Sequence, residues 1–312
     1  MADIDGLADE GVLLVARALE AGWPRGRLWG HLRRQGWTPV QRGAWAAPGL
    51  DVDVRLRLFA AQLARPDLVA SHGSAATLHH IELLREEEEF SCRPRGDGEV
   101  VVTRRGLRAT TAARTVADLL VRGPRDEALV AADSALAWRT VDGRRRPPLV
   151  SPAEVARALA RAGRGRARAR QWLGLADPAS GSPAETVARL RMRDAGLRPE
   201  SQAVLVGPSG RRLRTDFLFR DRRVAVEIEG HAYHGTVAAH RHDTYRYNEL
   251  AGCPEVNAVL RFTATDVLHH PRAVIATIRA TLEARTRRRA RTPKGGAADR
   301  SAAPPLVPGP GA

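Results

Sequence analysis

Two acidic residues on neighbouring strands are the strongest candidates for chemistry in this sequence. Asp216 lies in a strand-like stretch at 213–219, and Glu227 lies in another at 223–229. A two-residue loop at Asp221-Arg222 would place Asp216 directly opposite Glu227. Two like charges in that position are destabilising unless a cation or a shared proton neutralises them. The pattern therefore predicts a site for a hard divalent cation, Mg²⁺ or Mn²⁺, held by Asp216 and Glu227.

The same register adds a further acidic residue and leaves a second explanation open. Alternation places Glu227 and Glu229 on one face of their strand, with Arg214 opposite Glu229. A divalent cation held there could activate water and stabilise the charge that builds on a phosphodiester. Alternatively, the strand face is simply exposed to solvent, and its acidic residues are paired with the many arginines nearby.

Further ionisable residues follow the second strand. His234 lies in the next loop and can exchange a proton near neutral pH. Asp243 and Arg246 lie on the predicted helix at 238–250, at a spacing that places them on one face. These residues extend the acidic pair into a larger candidate group.

A regular series of elements is expected to position this group. Ser182-Pro183-Ala184-Glu185 has the N-cap, the proline and the first-turn acid of a helix start. The predicted elements are a helix at 182–195, strands at 202–206, 213–219 and 223–229, a helix at 238–250, a strand at 257–263 and a helix at 271–285. This α-β-β-β-α-β-α order predicts an α/β domain over 182–285.

The motifs of this domain resemble those of one nuclease family. The matching residues are Asp216, Val226-Glu227-Ile228-Glu229-Gly230, Tyr233-His234, Asp243, Arg246, Asn248, Leu250 and Val259-Leu260-Arg261-Phe262-Thr263. Together they resemble the very-short-patch-repair (Vsr)-like endonuclease domain of the restriction-endonuclease-like PD-(D/E)xK superfamily. The resemblance implies a restriction-endonuclease-like fold for 182–285.

The resemblance also implies roles for individual residues. Asp216 matches the central metal-binding aspartate of the family, His234 the catalytic histidine, Asp243 the second catalytic aspartate, and Glu185 the acidic residue on the first helix. With Glu227, these form the expected catalytic set. The lysine of the superfamily is absent, since Glu229 occupies its place. Gly252-Cys253-Pro254 replaces the Gly-Trp that usually follows the leucine.

The N-terminal half is predicted to be mainly helical. Helices at 8–21 and 25–35 precede a hairpin at 37–47, which is the outline of a winged helix, a DNA-binding shape. A small structural helical cap explains the same pattern equally well. We place this winged-helix-like module at 1–48 and an α+β domain at 49–150.

Four motifs of this half more weakly resemble AbiEi-type antitoxin regulators of type IV toxin–antitoxin systems. The matching segments are Gly22-Trp23, Arg42-Gly43-Ala44-Trp45, Ser-His-Gly-Ser-Ala-Ala at 71–76 and Arg-Thr-Val-Ala-Asp-Leu at 114–119. The resemblance implies an N-terminal winged helix and an AbiEi-like domain after it.

The chain is strongly basic, with 50 basic against 35 acidic residues and a net charge of +15. Much of the excess lies in 151–181, predicted to be an Arg-rich helical linker, and in the tail at 286–312, predicted to be disordered. Arginines neutralise DNA phosphates. The expected DNA contacts are Arg164, Arg166, Arg168, Arg170, Arg246 and Arg261.

Several classes of protein are excluded by what the sequence lacks. Its two cysteines form neither a disulfide framework nor a zinc site by spacing. No apolar run approaches the ~20 residues that span a bilayer, and the first residues lack the basic region of a signal peptide. We therefore expect a cytoplasmic protein without a membrane partner.

Two functions follow from the sequence. The first is a metal-dependent DNA endonuclease with an N-terminal DNA-binding region. The alternative is an AbiEi-type antitoxin or transcriptional regulator whose nuclease-fold domain is catalytically inactive. DNA is the expected partner in both, and a cognate toxin or self-association is a further expectation.

Overall fold

The computed structural model of the chain is a mixed α/β protein. It describes residues 3–85, 92–94, 100–102, 106–141, 143–230 and 237–291, without the side chains of 92–94, 100–102, 237–240, 242, 243 and 288–291. Among the described helices, none combines the length and the apolar character that crossing a membrane requires.

The first 48 residues form a small sheet packed against two helices. After a 3-10 turn at Asp5–Leu7, the elements are β1 (Val12–Leu14), α1 (Val15–Glu20), α2 (Arg25–Arg34), β2 (Thr38–Gln41) and β3 (Ala44–Ala46). The strand order is β1-β3-β2, with antiparallel pairing throughout. The hairpin predicted at 37–47 is confirmed as β2–β3. The helix predicted at 8–21 is wrong in its first half, because Glu10 and Gly11 adopt positive φ angles and direct β1 onto β3.

A second region combines helices with a four-stranded sheet and a hairpin. Its elements are α3 (Val54–Ala64), β4 (Leu68–Ala70), α4 (His72–Leu78), β5 (Cys92–Pro94), β6 (Val100–Val102), β7 (Arg108–Thr110), α5 (Ala112–Arg122), α6 (Arg125–Leu136), β8 (Arg139–Val141) and β9 (Arg144–Arg146). The sheet order is β5-β4-β7-β6, and β8 pairs with β9. Helix α6 lies at the centre of the protein, since every residue from 128 to 136 is buried.

The Arg-rich segment at 151–181 is not a linker, which corrects the prediction. It forms α7 (Pro152–Ala160) and α8 (Arg166–Leu173), and both helices belong to the core that α5 and α6 build. Val155, Leu159 and Ala169 are fully buried there. Val155, Ala158 and Leu159 have the spacing of an apolar helix stripe, which the arginine content of the segment obscured.

The C-terminal region follows the predicted order of elements, with one additional helix. Its elements are α9 (Pro183–Asp194), β10 (Glu200–Val206), β11 (Arg212–Phe219), β12 (Val224–Glu229), α10 (Val237–Ala251), β13 (Ala258–Thr263), α11 (Ala264–His269) and α12 (Pro271–Arg291). The sheet order is β10-β11-β12-β13, and only the β12–β13 pair among these is parallel. The tail predicted to be disordered from 286 is helical as far as Arg291, and 292–312 lie outside the described residues.

This sheet packs helices on both faces. Val224, Val226 and Ile228 share a core with α9, α11 and α12, as their alternation predicted. Ala225 belongs instead to a second cluster with Leu250 of α10. Acidic side chains at 227 and 229 therefore belong to the strand face opposite the larger core.

A buried ion pair joins the two halves of the protein. Asp133 of α6 is completely buried, and its Oδ2 accepts hydrogen bonds from Arg189 Nη2 at 2.7 Å and from Thr186 Oγ1 at 2.8 Å, both on α9. Its Oδ1 accepts a bond from the Asp177 N–H at 2.7 Å. Since α9 opens the C-terminal region and α6 is the centre of the N-terminal half, these bonds fix one region against the other.

Removing the basic partner should destabilise the whole protein. Arg189→Met would leave the Asp133 carboxylate buried without its counter-charge, which typically costs about 3–5 kcal/mol. Arg193→Met removes an exposed arginine from the same helix and should change stability little. Urea denaturation followed by circular dichroism measures both changes. Similar stabilities for the two variants would show that the halves do not depend on this ion pair.

Candidate active site

The β11–β12 hairpin sets the register of the acidic residues. Phe217 pairs with Val226, and Phe219 pairs with Val224, which is the predicted register. The connection itself differs from the predicted two-residue loop. It spans the four residues 220–223, and Arg223 adopts a positive φ of 55°. The register is unchanged because the loop gains one residue from each strand.

Asp216 and Glu227 lie together immediately beyond the last regular pair. The Asp216 N–H donates to Glu227 Oε1 at 3.3 Å, and the Ile228 N–H donates to Asp216 Oδ2 at 2.8 Å. Bonds between side chains and backbone thus continue the hairpin where the described ladder pairs end. Asp216 and Glu227 therefore lie next to each other, as the predicted register places them.

The predicted pairing of Arg214 with Glu229 is wrong. β11 pairs with β10 from Leu218 to Arg212, and Arg214 lies opposite Val204. Glu229 instead binds Arg261 of β13, with 2.6 Å between Arg261 Nε and Glu229 Oε1. The reason is that the pairing of β11 with β12 ends at Phe217 and Val226, whereas β12 pairs with β13 along its whole length to Glu229.

Glu185 of α9 is a third carboxylate close to Asp216. It is only 8% exposed, and its Oε2 accepts a bond from the Gly181 N–H at 2.7 Å. Gln202 Nε2 donates to Glu185 Oε2 at 2.6 Å and is 3.2 Å from Asp216 Oδ1. One amide nitrogen therefore bridges two carboxylates. A Cβ at position 181 would lie 2.8 Å from a Glu185 oxygen, so a larger residue there would displace this carboxylate.

Gln202 is the site residue that the sequence analysis missed. It has a positive φ of 51° and interrupts the β10–β11 ladder between the Ser201–Phe217 and Ala203–Thr215 pairs. The register of that hairpin places it opposite Asp216. Extending the register argument from β11–β12 to β10–β11 would have identified it.

Burial and like charges disturb the ionisation of the cluster. Burial, followed by the charges of Glu185 and Glu227, raises the pKa of Asp216 to about 7. The Ile228 N–H and Arg246 oppose this increase only partly. Burial also raises the pKa of Glu185, against the hydrogen bonds that it accepts. Near neutral pH, Asp216 is therefore divided between its protonated and ionised forms, and a cation nearby would favour the ionised form.

Two of the expected DNA-binding arginines contact carboxylates of this site. Arg246 Nη1 donates to Glu227 Oε2 at 2.6 Å, and Arg246 Nη2 donates to the Arg214 carbonyl oxygen at 2.7 Å. Arg261 binds Glu229 and lies 5.1 Å from the centre of the Tyr247 ring. These contacts match the alternative explanation, in which arginines neutralise the acidic strand face.

The remaining candidate residues lie apart from the cluster or outside the described part. Arg164, Arg166, Arg168 and Arg170 are exposed in and just before α8. Arg168 also donates to the Val121 carbonyl at 2.8 Å and stacks on Trp172 at 4.6 Å. His234 lies outside the described residues, and Asp243 lies in α10 with its side chain not described. In the described part, no group of three or more His, Cys, Asp or Glu side chains is arranged to hold a metal ion as it stands.

Comparisons with known proteins give relatives without an assigned function. No protein-family model matches the chain. The uncharacterized proteins MT2308 and Rv2248 of Mycobacterium tuberculosis, from strains CDC 1551 / Oshkosh and H37Rv, are each 34% identical over 148 residues. The match covers 46% of this chain and 51% of each relative, so the chain spans about half the length of these curated relatives.

One solved structure is weakly similar. The crystal structure of the RV2827C protein from Mycobacterium tuberculosis is 18% identical with a TM-score of 0.38, and the match covers 65% of this chain and 82% of that chain. A similarity at this level carries no argument about fold or activity.

The raised pKa of Asp216 predicts how stability depends on pH. The folded protein holds this proton up to about pH 7, whereas an unfolded aspartate releases it near pH 4. The contribution of Asp216 to stability is therefore lost as pH rises between these values. At pH 8, Asp216→Asn should melt at a higher temperature than the wild type, by about 2–4 °C for each kcal/mol of repulsion that the substitution removes. This difference in melting temperature should be smaller at pH 5.

A matched control is available in the same region. Glu249 of α10 is also buried and accepts a bond from Ser209 Oγ, but it lies outside the cluster. Metal-free thermal denaturation of the wild type, Asp216→Asn and Glu249→Gln at pH 5, 6.5 and 8 separates the effects. A melting gap for Asp216→Asn that does not widen with pH would contradict the charge repulsion.

Proposed function

We propose that this protein is a metal-dependent DNA endonuclease whose catalytic residues are Glu185, Asp216 and Glu227, together with His234 and Asp243. The observation that carries the proposal is the position of Asp216 between two other carboxylates, with a pKa raised to about 7. Three carboxylates this close are costly, and a divalent cation would remove the cost. A purely structural strand face needs no such cluster.

The donor set suits a hard cation. Asp216 would be the central ligand for Mg²⁺ or Mn²⁺, with Glu227 on the next strand and Glu185 on α9 at either side. The Gln202 amide lies between Glu185 and Asp216, and these two carboxylates would hold the ion together with Glu227. Such an ion supplies a Lewis acid that activates water and stabilises charge on a phosphodiester.

The protein's own residues would orient and protonate the reacting groups. Arg246 holds Glu227 Oε2, and the Ile228 N–H holds Asp216 Oδ2, so both carboxylates are fixed in direction before substrate binds. By the family resemblance, His234 would transfer a proton and Asp243 would assist from α10. These two roles extend the proposal to residues that lie outside the described side chains.

The N-terminal half supplies a reason to expect DNA as the substrate. We propose that 1–48 is a winged-helix DNA-binding module, supported by the strand order β1-β3-β2 and the helices between β1 and β2. Helix α2 has a basic last turn with His31, Arg33 and Arg34 and no acid in its first turn. The exposed arginines of α8 would add phosphate contacts. The nuclease proposal and the winged-helix proposal both agree with the cytoplasmic location that the sequence leads us to expect.

A specific observation favours the second candidate function. Glu227 binds Arg246, and Glu229, which stands where the nuclease superfamily has lysine, binds Arg261. If these ion pairs are what the acidic residues are for, the protein would be an AbiEi-type antitoxin or transcriptional regulator without catalysis. A cognate toxin or a second copy would then be its partner. Metal binding distinguishes the two candidates, because the regulator does not need it.

Divalent metal should stabilise the wild type and enable DNA cleavage. At pH 8, a millimolar concentration of Mg²⁺ or Mn²⁺ should raise the melting temperature, since stabilisation grows as RT ln(1 + [L]/Kd). Asp216→Asn should lose both this increase and the nicking of supercoiled plasmid, whereas Glu249→Gln should retain both. A wild type that does not respond to either metal would remove the nuclease proposal and leave the regulator.

His234 should separate metal binding from catalysis. His234→Ala is expected to retain the thermal response to Mn²⁺ and to lose at least about 100-fold in cleavage rate, the usual contribution of a general acid or base. His269→Ala, which removes an exposed histidine from α11, is the control and should cleave normally. Equal cleavage by the two variants would exclude His234 from proton transfer.

A further inference from the structure

The β10–β11 hairpin has one covered face and one uncovered face. On the covered face, Ala203 and Leu205 are each 1% exposed and pack in one cluster with Leu250 of α10. On the other face, Val204 and Val206 are 47% and 53% exposed. Among the described residues, α10 supports the hairpin from one side, and the valines on the other side are about half exposed.

Two arginines share the uncovered face with these valines. Val204 lies directly opposite Arg214, and Val206 directly opposite Arg212. Residues opposed across a ladder have neighbouring side chains on one face. We call these four residues the hairpin face.

The two arginines of the hairpin face differ from three other arginines in this region. Arg220 binds Glu200 and Glu255, and Arg246 and Arg261 bind Glu227 and Glu229. In contrast, no ion pair links Arg212 or Arg214 to an acidic residue in the described part of the chain. Their charges are therefore available to a ligand.

The hairpin face leads directly to the carboxylate cluster. Asp216 follows Arg214 by two residues on β11, so Arg214 and Arg212 lie about 7 and 14 Å from it along the strand. At about 3.4 Å of rise per nucleotide, these distances correspond to two and four nucleotides of one DNA strand. Arg246 also ties the Arg214 carbonyl to Glu227, so the two surfaces are held in fixed relation.

We propose that the hairpin face is the surface on which the phosphodiester backbone of a DNA strand lies as it reaches the cluster. Arg212 and Arg214 bind phosphates two nucleotides apart, and Val204 and Val206 contact the sugars between them. This proposal rests on the proposed nuclease function and specifies where its substrate binds.

A protein partner is a poorer match for this surface. Two valines and two arginines offer far less than the ~800 Å² that each side of a stable interface buries. Two uncompensated charges beside such a small apolar area would also have to be desolvated. A phosphate backbone uses these charges and leaves them partly hydrated.

The test compares two pairs of arginines in the full-length protein. Arg212→Gln/Arg214→Gln removes two charges from the hairpin face. The control, Arg220→Gln/Arg222→Gln, removes two charges from the loop at 220–223 that follows the same strand. Fluorescence anisotropy of a labelled 20-base-pair duplex, in EDTA and over a range of NaCl concentrations, measures binding without cleavage. Arg212→Lys/Arg214→Lys retains the charge and tests whether the positions tolerate substitution.

The expected result is specific to the hairpin face. The slope of log K against log [NaCl] should become shallower by about 2 in Arg212→Gln/Arg214→Gln, since each phosphate contact contributes about 0.9. The lysine variant and the Arg220/Arg222 control should keep the wild-type slope. Equal slopes for the two glutamine variants, or no duplex binding by the wild type at low salt, would overturn the proposal.

Two further measurements separate this proposal from its alternatives. The Mn²⁺ thermal response should be unchanged in Arg212→Gln/Arg214→Gln, because the cluster is intact. If the wild type itself shows no thermal response to Mn²⁺, the nuclease function is rejected. The salt slopes then decide separately whether DNA binds the hairpin face. A dimer in analytical ultracentrifugation that Val204→Ser/Val206→Ser dissociates would assign the face to a second copy and overturn the proposal.

Discussion

The buried contact between Asp133 and Arg189 is the constraint on which the rest of the arrangement depends. Asp133 has no exposure to solvent, and Arg189, Thr186 and the backbone of Asp177 together satisfy its carboxylate. These bonds hold the first two turns of α9 against α6, the most buried helix of the protein. Glu185 lies one residue before Thr186, so the same contact places it beside Asp216. The residues of the carboxylate cluster all lie in the C-terminal region, but the N-terminal half helps to hold one of them in place through Asp133.

Charge balance decides what this cluster is able to do. Arg246 compensates Glu227, but Asp216 and Glu185 share only the neutral amide of Gln202. Burial, followed by the charges of Glu185 and Glu227, raises the pKa of Asp216 to about 7, so an added cation would bind in competition with a proton. The Arg246–Glu227 and Arg261–Glu229 pairs compensate the other two carboxylates of the strand face. An acidic face with complete compensation would be inert, and this one is not completely compensated.

The sequence predicted the parts of the structure that depend on local pattern. The order of elements from α9 to α12 (except for α11), the β11–β12 register and the N-cap before Glu185 follow from alternation, turn residues and capping rules. The prediction from sequence failed where the amino-acid composition concealed the apolar pattern, and where residues far apart in the chain come into contact. The arginines of 151–181 concealed the stripe of Val155, Ala158 and Leu159, and Gln202 came into view only through the second hairpin register. No local rule indicates that Arg246 would turn towards Glu227, because that contact joins a helix to a strand across the fold.

The central claim is that a divalent cation binds at Asp216 by displacing a proton. Isothermal titration of Mn²⁺ into the metal-free protein at pH 7, in two buffers with different ionisation enthalpies, measures both the stoichiometry and the protons released. We expect one ion per chain and the release of about half a proton, because a group with a pKa near 7 is half protonated at that pH. At pH 8.5 the release should almost vanish and the affinity should rise. Binding without proton release at pH 7, or no binding at either pH, would contradict the account.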